Sequence, residues 1–139
     1  MKLAIVGSRQ YTNEAKIALL IDRYVEHFGK ENLTIVSGGC PDGADALAKK
    51  VALEKGLDYA EFAPAHRPHN CYCVRPPEEY NKPYHVSNFF IRNTQIAEYC
   101  DHLAAFTIEG VKCNGTMDTF GKAVKAGKKT LHLEDKDVE

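Results

Sequence analysis

The sequence contains no apolar run that approaches the roughly 20 residues needed by a membrane-spanning helix. We therefore predict no membrane span, and we expect no signal peptide before Met1. An excess of charge is also missing, because the formal net charge of the 139 residues is −1. A protein that follows nucleic acid phosphates needs a basic face, so neither a membrane nor nucleic acid is the expected partner.

A disulfide framework is missing as well. The chain has five cysteines, an odd number with no framework spacing. Unpaired thiols are typical of a reducing compartment, and we expect a cytoplasmic protein. The motif Gly-x-Gly-x-x-Gly does not follow the first apolar run, which argues against a dinucleotide oxidoreductase.

Short apolar runs alternate regularly with amphipathic segments along the chain. The predicted strands are Lys2–Val6, Thr34–Val36, Tyr59–Phe62, His102–Phe106 and Thr130–Leu133. The predicted helices run from an Asn13 or Thr12 cap to Gly29, from Ala44 to Gly56, over Asn88–Tyr99, and from a Thr116 cap to Gly127. This alternation predicts a single α/β domain over residues 1–139. We expect a Rossmann-like, doubly wound parallel sheet of five strands in the order 3-2-1-4-5. The charged tail, residues 134–139, is expected to fray.

Glycine-bearing turns follow three of the predicted strands. They are Val6-Gly7-Ser8-Arg9, Ser37-Gly38-Gly39 and, after a loop, Gly115-Thr116. Glycine permits close backbone approach, and the helix N-termini just beyond offer free N–H groups to an anion. In the predicted strand order these turns meet at one crevice, at the switch point of the sheet. The sequence therefore predicts a site for a phosphate-sized or nucleotide-sized ligand.

Residues 63–86 interrupt the regular pattern with five of the six prolines. We interpret this long segment as an ordered flap near the crevice, with aromatic and imidazole groups that line the ligand pocket. A zinc site is the alternative, with His66, His69, Cys71 and Cys73 as ligands. Their spacing matches no standard zinc motif, and Cys-x-Cys on an extended chain points its thiols to opposite faces. We expect neither a metal nor a cofactor.

These residues resemble the SLOG superfamily. The motifs that carry the resemblance are the Val6–Arg9 turn, the stretch Ser37–Asp45, Pro64-Ala65, Arg92-Asn93, Asp101 before a strand that ends at Phe106, and Gly115-Thr116. More narrowly, the chain is similar to the short single-domain members found in bacteria and phages. The superfamily includes LOG-type phosphoribohydrolases, which release a base from nucleoside monophosphates, and the DNA-processing protein of transformation. The resemblance implies a Rossmann-like fold that binds nucleotides or nucleotide-derived ligands.

The side chains around the turns suggest individual roles. Arg9 and Arg92 can hold a phosphate with a bidentate fork, or form surface ion pairs. Asp45 lies in the first turn of its helix, where it can act as a cap or contact a sugar hydroxyl. The predicted ligand-binding residues are Gly7, Ser8, Arg9, Ser37, Gly38, Gly39, Asp45, Asn93, Gly115 and Thr116.

Catalysis is less well supported. LOG-type enzymes carry a catalytic glutamate three residues after the threonine of their Gly-Thr turn, and Thr119 occupies that position here. Arg92 matches the arginine of those enzymes, and Asp118, Glu109 and Asp45, in that order, are the substitute acids. We therefore favour a nucleotide-binding sensor or a component of nucleotide metabolism or signalling. An N-glycosidic hydrolase and a DNA-processing accessory protein are the alternatives, and the sequence leaves open whether the chain forms a homo-oligomer.

Overall fold

Five parallel strands form one sheet in the order β3-β2-β1-β4-β5 in the computed structural model of this chain, which describes residues 1–136. The strands are β1 (Lys2–Gly7), β2 (Thr34–Ser37), β3 (Asp58–Glu61), β4 (His102–Ile108) and β5 (Lys129–Asp135). The α-helices are α1 (Glu14–Phe28), α2 (Gly43–Glu54), α3 (Ser87–Tyr99) and α4 (Asn114–Lys125). The predicted fold class and strand order are both confirmed.

The sheet is covered by helices on both faces, which explains its nearly continuous apolar strands. Leu3 and Ile5 of β1 are fully buried on the face covered by α1 and α2. Ala4 and Val6, the alternate residues of β1, are buried on the face covered by α3 and α4. Within residues 1–136, no helix is both long enough and apolar enough to cross a membrane.

Helix boundaries follow the capping signals in some places and depart from them in others. Asn13 caps α1 by accepting a hydrogen bond from the N–H of Lys16 at 3.2 Å, and Gly29 ends this helix with a φ of 87°. The prediction that Thr116 caps the fourth helix is wrong, because α4 already begins at Asn114. Thr116 lies inside the first turn of α4 and is buried.

The last strand is longer than predicted. β5 extends to Asp135 because its backbone pairs with β4 as far as Ile108. Asp135 also accepts hydrogen bonds from the side chains of Tyr11 and Lys16, which connect β5 to the start of α1. The expected fraying is therefore wrong for residues 134–135, and residues 137–139 of the predicted tail lie outside the described residues.

The proline-rich segment 63–86 packs beside β3. It contains a short 3-10 helix, Pro77–Glu79, and its Cys73 forms a parallel bridge with Glu61 at the end of β3. The side-chain amide of Asn70 donates a hydrogen bond to the Glu61 carboxylate at 2.6 Å. These contacts show that the segment is ordered against the edge strand of the sheet.

Candidate ligand-binding crevice

A crevice of about 370 Å³ opens where the chain leaves β1 and β4. Gly7 pairs with Phe106, and the N–H of Ser8 donates to the Phe106 carbonyl at 3.0 Å, so the two strand ends stay together. From there β1 leads into α1 and β4 leads into α4, which lie on opposite faces of the sheet. Nine predicted residues line this crevice: Gly7, Ser8, Arg9, Gly38, Asp45, Arg92, Asn93, Gly115 and Thr116.

Two of the glycines are required by packing around the crevice. A Cβ atom on Gly7 would lie against the Phe106 carbonyl oxygen and 2.6 Å from the Cβ atom of Ala44. A Cβ atom on Gly38 would collide with the guanidinium group of Arg92 and lie 3.0 Å from the Asp45 carboxylate. The absent side chains therefore let α2 and α3 approach the strand ends closely.

The N-terminus of α4 opens onto the crevice. Asn114, Gly115 and Thr116 form its first turn and line the wall. The residue before the helix is Cys113, and no side chain of the described residues caps this end. The first intrahelical hydrogen bond runs from the N–H of Met117 to the Cys113 carbonyl at 3.0 Å. The preceding amides, together with the helix dipole, can therefore receive an anion.

Three cationic side chains face the same space. Arg9 and Lys112 are exposed at its rim, and Arg92 is partly buried in its wall. The Nη1 atom of Arg92 donates to the Gly38 carbonyl at 2.5 Å, and its Nε atom donates to the Asn93 Oδ1 atom at 3.0 Å. Burial lowers the pKa of Arg92, and nearby Asp45 opposes that effect. An arginine nevertheless keeps its charge at neutral pH, so Arg92 is a fixed positive group.

Asp45 is the one acidic side chain among the residues 1–136 that line the crevice. It is buried, and its Oδ2 atom accepts a hydrogen bond from the Cys40 N–H at 3.2 Å. Burial raises the pKa of Asp45, while Arg92 and backbone N–H groups partly offset the increase. The carboxyl group therefore takes up a proton more readily than an exposed aspartate does.

Two predicted ligand-binding residues lie outside the crevice. Ser37 is fully buried, and its hydroxyl bonds to the Tyr59 hydroxyl at 2.7 Å. Gly39 has a φ of 70°, and a Cβ atom there would lie 2.6 Å from the carboxyl carbon of Glu61. The left-handed backbone of Gly39 redirects the chain, and Ser37 contacts Tyr59 while Gly39 lies against Glu61, both residues of β3. Ser37 and Gly39 therefore face the end of β3 and do not line the crevice.

Two of the predicted catalytic residues also lie outside the crevice. Glu109 is exposed in the turn after β4, where its N–H bonds to the Asp135 carbonyl at 2.8 Å. Asp118 lies outside the crevice wall, where it accepts a hydrogen bond from Asn93 at 3.1 Å and forms an ion pair with Lys122 at 3.0 Å. Of the predicted catalytic arginine and the three substitute acids, Arg92 and Asp45 line the crevice.

Thr119, which occupies the position of the LOG-type glutamate, does line the crevice. It is 2% exposed, and its hydroxyl donates a hydrogen bond to the Gly115 carbonyl at 3.0 Å. The hydroxyl is thus directed to the backbone of its own helix. It supplies no carboxylate at the place where those enzymes have one.

The proline-rich segment lies farther from the crevice than the flap prediction implies. None of residues 63–86, all of which the structure describes, lines the crevice. Of the four zinc-ligand candidates, His66 contacts Asn88, His69 packs against Tyr80, Cys73 contacts Asn70 and Cys71 is exposed. Across residues 1–136 no group of three or more His, Cys, Asp or Glu side chains is placed to hold a metal ion.

Several residues that line the crevice were not predicted, because the sequence does not mark them with a glycine. They are Gln10, Cys40, Phe89, Lys112, Cys113 and Asn114. The last three belong to the loop and first helical turn after β4, and their place could have been found from the strand order alone. Phe89 gives no comparable signal, because an apolar residue in the first turn of a helix usually belongs to the core.

The family comparison supports the motifs in the first half of the chain. Residues 1–69 match the family described as the YspA, cpYpsA-related SLOG family. The chain belongs to the SLOG superfamily. The matched part of this SLOG chain contains the turns after β1 and β2 and Asp45, but not Arg92 or the start of α4.

Solved structures of molybdenum cofactor proteins share the fold. The molybdenum cofactor binding protein from the phototrophic bacterium Rippkaea orientalis aligns with a TM-score of 0.69 and 18% identity, over 96% of this chain and 76% of that one. The molybdenum cofactor carrier protein from Chlamydomonas reinhardtii aligns with a TM-score of 0.59 and 16% identity, over 99% of this chain and 89% of that one. Identities this low show a shared fold. No functionally curated protein matches the chain significantly.

Proposed function

We propose that this SLOG protein binds a small phosphorylated ligand, a nucleotide or a nucleotide derivative, in the crevice beyond β1 and β4. In this role it acts as a sensor or as a component of nucleotide metabolism or signalling. The observation that carries the proposal is the first turn of α4, which no side chain of the described residues caps and which faces Arg9, Arg92 and Lys112 across one crevice. Superfamily membership supports it.

The arrangement suits a phosphate group for two reasons. The N-terminal amides of α4 supply directed donors, and a phosphate at a helix N-terminus is further stabilised by the helix dipole. Arg92 adds a rigid guanidinium group whose orientation is fixed by Gly38 and Asn93. The volume of about 370 Å³ lies within the range of small-ligand pockets. We place the phosphate between the first turn of α4 and Arg92.

Asp45 suits a different part of the ligand. An ionised carboxylate next to a phosphate would repel it, whereas a carboxyl group pairs well with a sugar hydroxyl. The Cys40 N–H donates to one oxygen of Asp45 at 3.2 Å, and the Asp45 side chain lines the crevice. We therefore assign the sugar to the side of the crevice formed by Asp45.

The solved neighbours suggest a second candidate ligand. Both are named for the molybdenum cofactor, and they share the fold over nearly the whole of this chain. The molybdenum cofactor is therefore one of the ligands to test for binding in the crevice.

An N-glycosidic hydrolase is the second candidate function, and Asp45 is the observation that favours it. Asp45 replaces Asp118 and Glu109 as the first acid to consider, because it lines the crevice and they do not. In base release, water adds to the anomeric carbon while the carbon–nitrogen bond breaks. A carboxyl group with a raised pKa can donate the proton that the leaving base takes, and the resulting carboxylate can accept the proton that the attacking water loses.

The test is isothermal titration with adenosine, guanosine, cytidine and uridine 5′-monophosphates, ribose 5-phosphate and the molybdenum cofactor. Arg92→Ala should weaken binding of a phosphorylated ligand about tenfold or more, because a charged hydrogen-bond donor is lost. Arg23→Ala, an exposed arginine on α1, is the matched control and should leave binding unchanged. The absence of binding across the panel, or equal affinity in Arg92→Ala, would overturn the proposal. Chromatography of the same mixtures for free base decides between binding and hydrolysis.

A further inference from the structure

Three aromatic side chains form a cluster at the edge of the crevice, which we call the aromatic rim: His66, Tyr84 and Phe89. The ring centroids of His66 and Tyr84 are 4.7 Å apart, and those of His66 and Phe89 are 5.0 Å apart. The ring planes of these two pairs are inclined by 53° and 73°, so the rings do not stack face to face. The rim joins residues 63–86 to the first turn of α3.

The aromatic rim is continuous with the crevice. Phe89 lines the crevice, and the guanidinium carbon of Arg92 lies 5.8 Å from the centre of its ring. The Tyr84 ring lies 6.2 Å from the Phe89 ring on the outer side, and Tyr84 is 69% exposed. A large aromatic side chain that is this exposed beside a polar pocket has a ring face that is free to contact a ligand.

The aromatic rim is held in place from α3. The side-chain amide of Asn88 contacts the Nδ1 atom of His66 at 3.2 Å and donates to the Pro83 carbonyl at 3.4 Å. Tyr84 directly follows Pro83, so this contact fixes the backbone beside it. Burial, together with Arg67 and Arg92, lowers the pKa of His66 and favours the neutral imidazole. The rim therefore presents neutral rings in a defined arrangement.

We propose that the aromatic rim is the platform on which a planar heterocyclic ring of the ligand stacks, while its phosphate lies at the first turn of α4. This inference rests on the proposed function and narrows its ligand to phosphate esters that carry a flat, unsaturated ring. Aromatic side chains bind such rings through their π-faces with little dependence on the ring's hydrogen-bonding groups. Residues 63–86 thus contribute to binding through Tyr84 and His66 without lining the phosphate end.

The experiment compares two probes that share a sugar phosphate. The first, 1,N6-ethenoadenosine 5′-monophosphate, carries a fluorescent planar ring, and the second, ribose 5-phosphate, carries none. Affinities for both are measured in the wild type, Tyr84→Ala, Tyr84→Phe and Phe90→Ala. Phe90 is the matched control, because it is 48% exposed on the same helix and contacts Lys122 outside the crevice.

The expected result is that Tyr84→Ala weakens the ethenoadenosine probe about five- to tenfold, the lower part of the range for one stacked base. Its fluorescence change should fall, Tyr84→Phe and Phe90→Ala should match the wild type, and ribose 5-phosphate should bind all four proteins equally. If the wild type binds both probes with equal affinity, or if Tyr84→Ala weakens both probes alike, the platform is overturned and the phosphate site stands. If the wild type binds neither probe, the platform is overturned, and if it also binds none of the ligands in the titration panel, the proposed function fails as well.

Discussion

The Oδ1 atom of Asn93 accepts a hydrogen bond from the Nε atom of Arg92 at 3.0 Å. The amide nitrogen of Asn93 donates in turn to Asp118 at 3.1 Å and to the Gly115 carbonyl at 3.4 Å. Asn93 is 5% exposed, so these bonds lie largely out of water. The orientation of Arg92 is thereby connected to the first turn of α4, and the two groups proposed to hold a phosphate are aligned by one buried side chain.

Replacing Asn93 tests this alignment. Asn93→Ala should reduce the affinity for adenosine 5′-monophosphate about tenfold, because Arg92 loses the acceptor that orients it. The free energy of unfolding should also fall by about 1–3 kcal/mol, since buried polar partners are left unpaired. Thr94→Ala, next to it on α3, removes only a bond to the Phe90 carbonyl and should leave affinity unchanged. Titration calorimetry and urea unfolding measure the two effects, and equal affinity in Asn93→Ala would refute the alignment.

Gly38→Ala tests the close approach of Arg92. The added Cβ atom would collide with the Arg92 guanidinium group and displace it, so ligand affinity should fall about tenfold or more. Gly121→Ala is the matched control, because a Cβ atom at this position of α4 meets nothing within 4 Å. That control should bind normally and gain about 0.5–1 kcal/mol of stability from alanine's better helix propensity. A folded Gly38→Ala protein with wild-type affinity would show that Arg92 does not contact the ligand.

The buried carboxyl group of Asp45 predicts a pH effect on stability. Its folded-state pKa is raised above the ordinary 3.8, so between these values the folded protein binds more protons than the unfolded chain does. Wild-type stability should therefore fall as pH rises through this window, whereas asparagine does not titrate. Urea unfolding from about pH 4 to pH 7 should show the stability of Asp45→Asn, relative to the wild type, rising with pH. Asp42→Asn is the control for the loss of one exposed negative charge. If the stability of Asp45→Asn relative to the wild type stays constant or falls as pH rises, the pKa of Asp45 is not raised in the folded protein.

The carboxyl group of Asp135 predicts the opposite dependence of stability on pH. Partial burial raises the pKa of Asp135, but hydrogen bonds from Lys16, Asn13 and Tyr11 outweigh this and hold it below 3.8. The ionised carboxylate therefore stabilises the fold above its ordinary pKa, and this stabilisation is lost as pH falls through the folded-state value. Asp135→Ala should cost about 1–2 kcal/mol at pH 7 and progressively less in acid. Glu134→Ala, its exposed neighbour, should cost much less in the same unfolding measurements.

Much of the fold follows from local sequence patterns. Buried parallel strands need apolar residues on both faces, so runs such as Leu103–Phe106 are visible without a structure. Amphipathic helices between such runs, joined by right-handed crossovers, leave few topologies, and the order β3-β2-β1-β4-β5 is the common one. The carboxyl ends of β1 and β4 must then be neighbours. For that reason Gly7 and Gly115 could be assigned to one crevice from the sequence.

The sequence by itself determined the fold class, the strand order and the place of the crevice, because these depend on periodicity and chain connectivity. Only the tertiary structure decided which side chains enter that crevice. Ser37 and Gly39 flank Gly38 yet face β3, since one left-handed residue redirects the turn. Asp118 and Thr119 are adjacent on α4, but about 100° of helical rotation places one outside the crevice wall and the other in it. The direction of a side chain depends on the packing of its whole element, which no local motif records.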